Sequence, residues 1–190
     1  MVVGRNASAA SALCEQWRER NSVKKTYLAF VKRWPPYHEQ KLLEGRIDLP
    51  LAASRTERIK WEVRPIQDGG KASLTIWKVH ESNFSFDTYE SGSNTCSNNN
   101  HSFGLTLDLQ PMTGRTHQLR IHCATVGSGI EGDSLYGDDP IKWIGDQHTC
   151  TTYDTGAASS NKTLRLHAHK LSFIHPKSEK EVHFESPKPW

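Results

Sequence analysis

No run of apolar residues in this chain reaches the length of about 20 that a membrane-spanning helix needs. The N-terminus passes from Val2-Val3 directly into Gly4-Arg5-Asn6, without the pattern of a secretory signal. No membrane partner is expected. Cysteine is sparse: Cys14, Cys96, Cys123 and Cys150 lie far apart with no CxxC spacing, so neither a zinc module nor a disulfide framework is indicated. A reducing, intracellular location is expected, with nothing to separate cytoplasm, nucleus and organelle. Charge is also near balance, 24 Lys+Arg against 21 Asp+Glu, so the chain as a whole is not a polycation. Gly70-Lys71 stands outside any GxxxxGK[ST] pattern and no helical stretch follows it, which excludes a phosphate-binding loop there.

What is present fits one folded domain. A length of 190 residues, 35% of them hydrophobic and including six tryptophans, supports one sizeable core and leaves little room for a second. The basic residues are local. Residues 1–35 carry Arg5, Arg18, Arg20, Lys24, Lys25, Lys32 and Arg33 against Glu15 and Glu19, a bias that fits a nucleic-acid partner and equally a solvated helix face. Ala10, Leu13, Cys14 and Trp17 recur at helical spacing, predicting a helix over about 7–20. Strands are predicted at Thr26–Val31, at a brief edge segment from Gly45 stopped by Pro50, and at Ile59–Val63. Asp68-Gly69 reads as a hairpin turn returning through Ala72–Val79. Leu105, Leu107 and Leu109 alternate on one face of a further strand, with Asp108 on the other. A helix over Gln118–Val126 follows, and two strands joined at His175-Pro176 close the chain. Stretches near 82–102 and 144–162 are rich in Ser, Asn, Thr and Gly and read as disordered insertions.

The chemistry is concentrated between Pro111 and His122, continued by Gly132 to Asp138. Arg115, Thr116, His117, Gln118, Arg120 and His122 follow a Thr113-Gly114 turn, a composition suited to a polar or anionic partner. A helix starting near Thr116 adds backbone N–H groups and a favourable dipole for an anion. The ten histidines give no metal motif. His167 and His169 share a strand face without a carboxylate or cysteine at ligand spacing, and His117 and His122 are five residues apart rather than four.

Taken in order, Lys25-Thr26-Tyr27-Leu28-Ala29, Gly69-Gly70-Lys71-Ala72, Thr113 to His122, Gly132-Asp133-Ser134-Leu135-Tyr136-Gly137, and Arg165-Leu166-His167-Ala168 with His175-Pro176 closely resemble the RluA-type RNA pseudouridine synthases. The likeness runs from Val2 to Pro189, interrupted by the two polar insertions, and five ordered motifs are far more specific than any one. It implies an α/β (α+β) fold, a mixed and largely antiparallel sheet with flanking helices, forming a single catalytic domain over 1–190 with an RNA cleft along the sheet. It implies a monomer acting on structured RNA, ribosomal or transfer, with no cofactor and no metal. The implied reaction breaks the N-glycosidic bond of a uridine, turns the uracil and rejoins it through C5, which requires the base to leave its stack. Tyr27, which from its strand alone reads as packing, matches the active-site tyrosine that lies against the flipped base. Arg120 matches the arginine that pairs with the catalytic aspartate. Lys25, Arg115, Thr116, His117 and Gln118 match substrate-binding positions that shape the cleft or meet phosphate, with a structural role at the turn as the other reading of Arg115.

One departure stands out. The resemblance requires His-Arg-Leu-Asp followed by Thr-Ser-Gly, which supplies the nucleophilic aspartate, and these 190 residues do not contain it. Ile47-Asp48-Leu49 and Leu107-Asp108-Leu109 lack the continuation, and Asp133 already has its own place in the pattern. Two readings follow: an N-terminally incomplete catalytic domain, inactive alone, whose partner strands for Val2-Val3 lie upstream, or a non-catalytic RNA-binding or scaffold protein derived from the same family. The first is preferred. A relocated carboxylate is the weakest alternative, because nucleophile and glycosidic carbon must meet in near-attack geometry.

Overall fold

The computed structural model describes residues 2–19, 22–31, 42–80, 104–127, 129–137 and 163–190. The insertions expected near 82–102 and 144–162 lie wholly outside the described residues. In chain order the elements are α1 (Ala7–Glu19), β1 (Lys24–Val31), β2 (Glu44–Asp48), β3 (Leu51–Ala53), β4 (Trp61–Val63), a short 3-10 turn (Ile66–Asp68), β5 (Leu74–Val79), β6 (Leu105–Pro111), α2 (Gln118–Thr125), β7 (Leu166–Ile174) and β8 (Glu181–Glu185). The fold is α+β: a six-stranded sheet in the order β2-β5-β6-β1-β7-β8 and a two-stranded sheet of β3 and β4, with every named pairing antiparallel.

The alternating leucines form the centre. Leu105, Leu107 and Leu109 are buried and pack with Ala29, Val31, Trp77, Leu119 and Cys123 in one cluster. Each fully buried leucine is worth about 1.5–3 kcal/mol of transfer free energy, so this face of the sheet anchors the domain. Asp108 points the other way, as the alternation requires, and meets Nδ1 of His80 at 3.1 Å. Helix α1 covers the β7–β8 end of the sheet through Leu13 and Trp17 against Val23, Leu171 and Phe173.

Helix α2, predicted from the sequence, is buried on two sides. Leu119 and Cys123 face the large sheet, while Ile121 and Ala124 join Leu51 and Tyr136 in a second cluster beside Trp61 and Val63. The helix is therefore held between the two sheets, and His122 is fully buried with its neighbours. That sandwiching is a tertiary fact and leaves no periodic signature in eight residues.

Asp68-Gly69 does not close a hairpin. Strand β4 pairs with β3, and β5 pairs with β2 and β6. Gly69 instead takes the left-handed conformation, φ 95°, that ends the 3-10 turn, donating its N–H to Ile66 O. Gly70 passes so close to Arg64 that a Cβ would stand 1.8 Å from its carbonyl oxygen. Glycine is required at both positions, although for a cap and a close approach and not for a two-residue hairpin loop.

Candidate active site

The site is assembled where β1 begins and β6 ends. Antiparallel pairing sets Tyr27 opposite Leu109, so the start of β1 lies beside the strand end that delivers Pro111 and the turn after it. Between Thr26 and Tyr27 the β1–β7 register shifts, with His169 of β7 as the extra residue. Tyr27 packs on the central cluster that includes Leu119 of α2. Lys25, opposite Leu171, is turned to the α1 side, with its ammonium 5.9 Å from the centre of the Trp17 ring.

The turn is braced from inside by Gln118. This residue is buried, and both ends of its amide are used: Oε1 accepts from the Thr113 hydroxyl at 2.7 Å and from Arg115 N–H at 3.1 Å, while Nε2 donates to Leu74 O and Thr75 Oγ1, both at 3.0 Å. Thr113 Oγ1 accepts the Leu74 N–H at 3.0 Å, tying the turn to β5. The chain of hydrogen bonds continues inward, since Thr75 Oγ1 lies 2.9 Å from Nδ1 of His122 and Nε2 of His122 lies 3.1 Å from Leu49 O. Thr75 accepts from Gln118 and so donates to Nδ1, leaving Nε2–H of His122 to donate to Leu49. Burial lowers the His122 pKa to about 4, against an opposing contribution from the Leu49 carbonyl, so this ring is a neutral structural member. Gln118 and His122 hold the wall up. Thr116 and Gly114 are exposed, and Arg115 is half-buried, with Nε donating to Ala72 O at 3.2 Å.

Arg120 lies on α2 two residues beyond this brace and forms a two-point ion pair with Asp133: Nε to Oδ2 at 2.8 Å and Nη2 to Oδ1 at 2.5 Å. The Asp133 side chain is wholly buried, and its Oδ1 also accepts the N–H groups of Leu135 and Tyr136. Burial alone pushes this carboxyl pKa up, but the guanidinium and the two backbone donors outweigh it and hold the group below its usual range. The same pair raises the Arg120 pKa, so the guanidinium keeps its charge. Gly132, at φ 77°, provides the approach: a Cβ there would stand 2.3 Å from Thr163 O.

Tyr136 completes the constellation. The Arg120 guanidinium lies 5.2 Å from the centre of its ring, and the His117 ring meets it edge-on with centroids 5.7 Å apart. The Tyr136 hydroxyl accepts Trp61 N–H at 2.9 Å and is 3.0 Å from Nδ1 of His117. His117, at the start of α2, has the left-handed value φ 54°. Of the sequence candidates, the structure therefore brings Arg115, Thr116, His117, Gln118 and Arg120 into one braced unit, with Tyr27 on the same face of the sheet. Asp133 and Tyr136 carry as much of the geometry, yet their motif offered no role in the sequence beyond the resemblance. No group of three or more His, Cys, Asp or Glu arranged as metal ligands occurs among the described residues.

Comparison with known proteins agrees with this geometry. Residues 1–125 match the family model described as RNA pseudouridylate synthase. The dual-specificity RNA pseudouridine synthase RluA of Vibrio parahaemolyticus is 31% identical over 94% of this chain and 56% of its own length. The ribosomal large subunit pseudouridine synthase D of Neisseria meningitidis is 30% identical over 100% of this chain and 42% of its own. The chain thus spans about half the length of the curated relatives it matches. Among solved structures, human RNA pseudouridylate synthase domain containing 1 superposes with a TM-score of 0.65 at 24% identity, covering 97% of this chain and 62% of that one, which supports the same fold.

Proposed function

Because this chain belongs to the RNA pseudouridylate synthase family, we propose that it forms the arginine-bearing wall of a site that isomerises uridine to pseudouridine in structured RNA, ribosomal or transfer. The observation that carries the reading is the ion pair between Arg120 and Asp133, because it locks the two chemistry-rich motifs into one rigid unit beside Tyr27. The names of the relatives, which include ribosomal large subunit synthases, favour RNA as the partner.

In this reading a uridine leaves its stack and lies against Tyr27. Arg115 and Thr116, at the rim of the braced turn, meet the RNA backbone, where phosphate contacts fix register and orientation. Arg120 supplies positive charge at the reacting centre. Asp133 occupies only the Nε–Nη2 edge of the guanidinium, and a guanidinium has five N–H donors, so Arg120 has donors left for a further acceptor. Asp133 does not itself serve as nucleophile, since its buried carboxylate is held by four hydrogen bonds that would have to be broken. The 190 residues, lacking His-Arg-Leu-Asp, bind RNA without turnover.

The test is to incubate this chain with ribosomal and transfer RNA transcripts carrying 5-tritiated uridine, and in parallel to measure binding against salt. Salt-dependent binding without tritium release is expected. Tritium release would show that the chain carries its own nucleophile, and absence of binding would remove the RNA reading.

A further inference from the structure

We propose that Tyr136 is a positioning residue that holds His117 as a neutral imidazole with its Nε2–H presented to the RNA. The inference rests on the reading of this face as an RNA wall and adds to it which atom of His117 acts and what sets it.

The Tyr136 hydroxyl has one hydrogen to give. It accepts the Trp61 N–H at 2.9 Å, and its other polar neighbour among the described residues is Nδ1 of His117 at 3.0 Å. Tyr136 is only 3% exposed, so a hydroxyl hydrogen aimed anywhere else would be buried and unpaired, an arrangement that folded proteins avoid. The hydrogen therefore goes to Nδ1, which must carry a lone pair, and the ring proton sits on Nε2.

Position follows from the same contacts. The left-handed backbone at His117, uncommon outside glycine, asparagine and aspartate, turns its ring edge-on to Tyr136, while Arg120 lies against the Tyr136 ring as well. The strain persists because Ile121 N–H donates to the carbonyl oxygen of His117 at 3.0 Å and Tyr136 fixes the ring. The charged and titratable groups facing this pair are Arg120 on α2, Asp133 and Tyr136 on the following turn, and Lys60 before β4. Burial, with the positive charge of Arg120, lowers the His117 pKa against a smaller opposing contribution from Asp133, which keeps the ring neutral near pH 7. Trp61 belongs to the small sheet, so β4 reaches the site through this backbone N–H as well as through the Trp61 and Val63 side chains beside the Tyr136 cluster.

Two independent arms test the proposal. Long-range proton–nitrogen NMR on the free 190-residue chain reads the tautomer without RNA. The proposal expects Nε2 protonated and Nδ1 bare at pH 7, and expects Tyr136→Phe to mix the tautomers and raise the His117 pKa. Nδ1 protonated in the unsubstituted chain, a measurement that needs no variant, would overturn it. In the second arm, affinity for an RNA hairpin transcript is compared among His117→Gln, whose amide places an N–H near the position of Nε2, His117→Asn and His117→Ala. Gln is expected to stay within about threefold of the parent, and Asn and Ala to lose about tenfold, as the loss of one hydrogen bond allows. Equal affinities for all three would overturn the presentation of Nε2–H to RNA, while a chain that binds no RNA under any condition fails the RNA-wall reading and leaves the tautomer arm to stand or fall separately.

Discussion

Arg120 and Asp133 meet edge to edge, through Nε and Nη2 on one side and both carboxylate oxygens on the other, and the pair joins the start of α2 to the Gly132–Gly137 turn. Because the Asp133 side chain is wholly buried, the two residues should behave as one unit. Removing Arg120 leaves a buried unpaired carboxylate, so Arg120→Ala is expected to cost about 3–5 kcal/mol. The double replacement Arg120→Ala with Asp133→Ala should cost less than the sum of the two single changes. Urea denaturation of the four proteins gives the cycle, and additive costs would show that the pair is not coupled.

The Gln118 brace predicts a link between stability and RNA binding. Gln118→Leu keeps the volume but strands the Thr113 hydroxyl hydrogen and the Arg115 N–H, and leaves Thr75 Oγ1 with only its His122 contact. A loss of about 1–3 kcal/mol is expected for buried polar groups left without partners. RNA affinity should fall with it although Gln118 itself is buried. Unchanged denaturation midpoints would mean that the turn stands without its brace.

His122 sets a pH dependence of known sign. Its folded pKa, about 4, lies below the ordinary 6.5, so the unfolded chain binds a proton that the folded chain refuses between those values. Its contribution to stability is complete above pH 6.5 and is lost as pH falls toward 4, on the order of 3 kcal/mol in all. Relative to the parent, His122→Gln should flatten the fall in urea midpoint between pH 6.5 and 4.5. Parallel curves for parent and variant would contradict a buried neutral ring.

Gly114 offers a contrast with Gly70. A Cβ on Gly70 would collide with Arg64 O, whereas one on Gly114 would meet nothing within 4 Å. Gly70→Ala is expected to destabilise the fold by more than about 2 kcal/mol. Gly114→Ala should leave stability within about 0.5 kcal/mol and weaken RNA binding several-fold, because the open space there faces the proposed ligand. Thermal unfolding and filter binding read the two effects separately.

The parts of this architecture that the sequence made legible are those with local causes. Leu105, Leu107 and Leu109 alternate because one face of β6 is buried, and Ala10, Leu13, Cys14 and Trp17 recur because α1 has one apolar stripe. The hairpin assigned to Asp68-Gly69 went astray because β4 pairs backward with β3, a choice made by tertiary contacts that an Asp-Gly pair cannot reveal. Gln118 was visible as a polar residue in a polar turn, and its burial was not, since that depends on β5 supplying Leu74 O and Thr75 Oγ1. Lys25 and Tyr27 are two apart on β1, and their different neighbours, the Trp17 ring for one and the central cluster for the other, are set by tertiary packing that alternation does not show. The partner of Arg120 was hidden for a different reason: Asp133 is thirteen residues away, and pairing across a turn has no spacing rule.

The most direct measurement of the central claim is photo-cross-linking of this chain to RNA transcripts containing 4-thiouridine, with the attached peptides identified by mass spectrometry. The account predicts that uridine attaches at Tyr27 and within residues 113–117, and that Arg115→Ala lowers the yield and reduces the salt dependence of binding by about one counterion. Attachment confined to the exposed face of β8, or to α1 beside Lys25, with Tyr27 and residues 113–117 unlabelled, would contradict it.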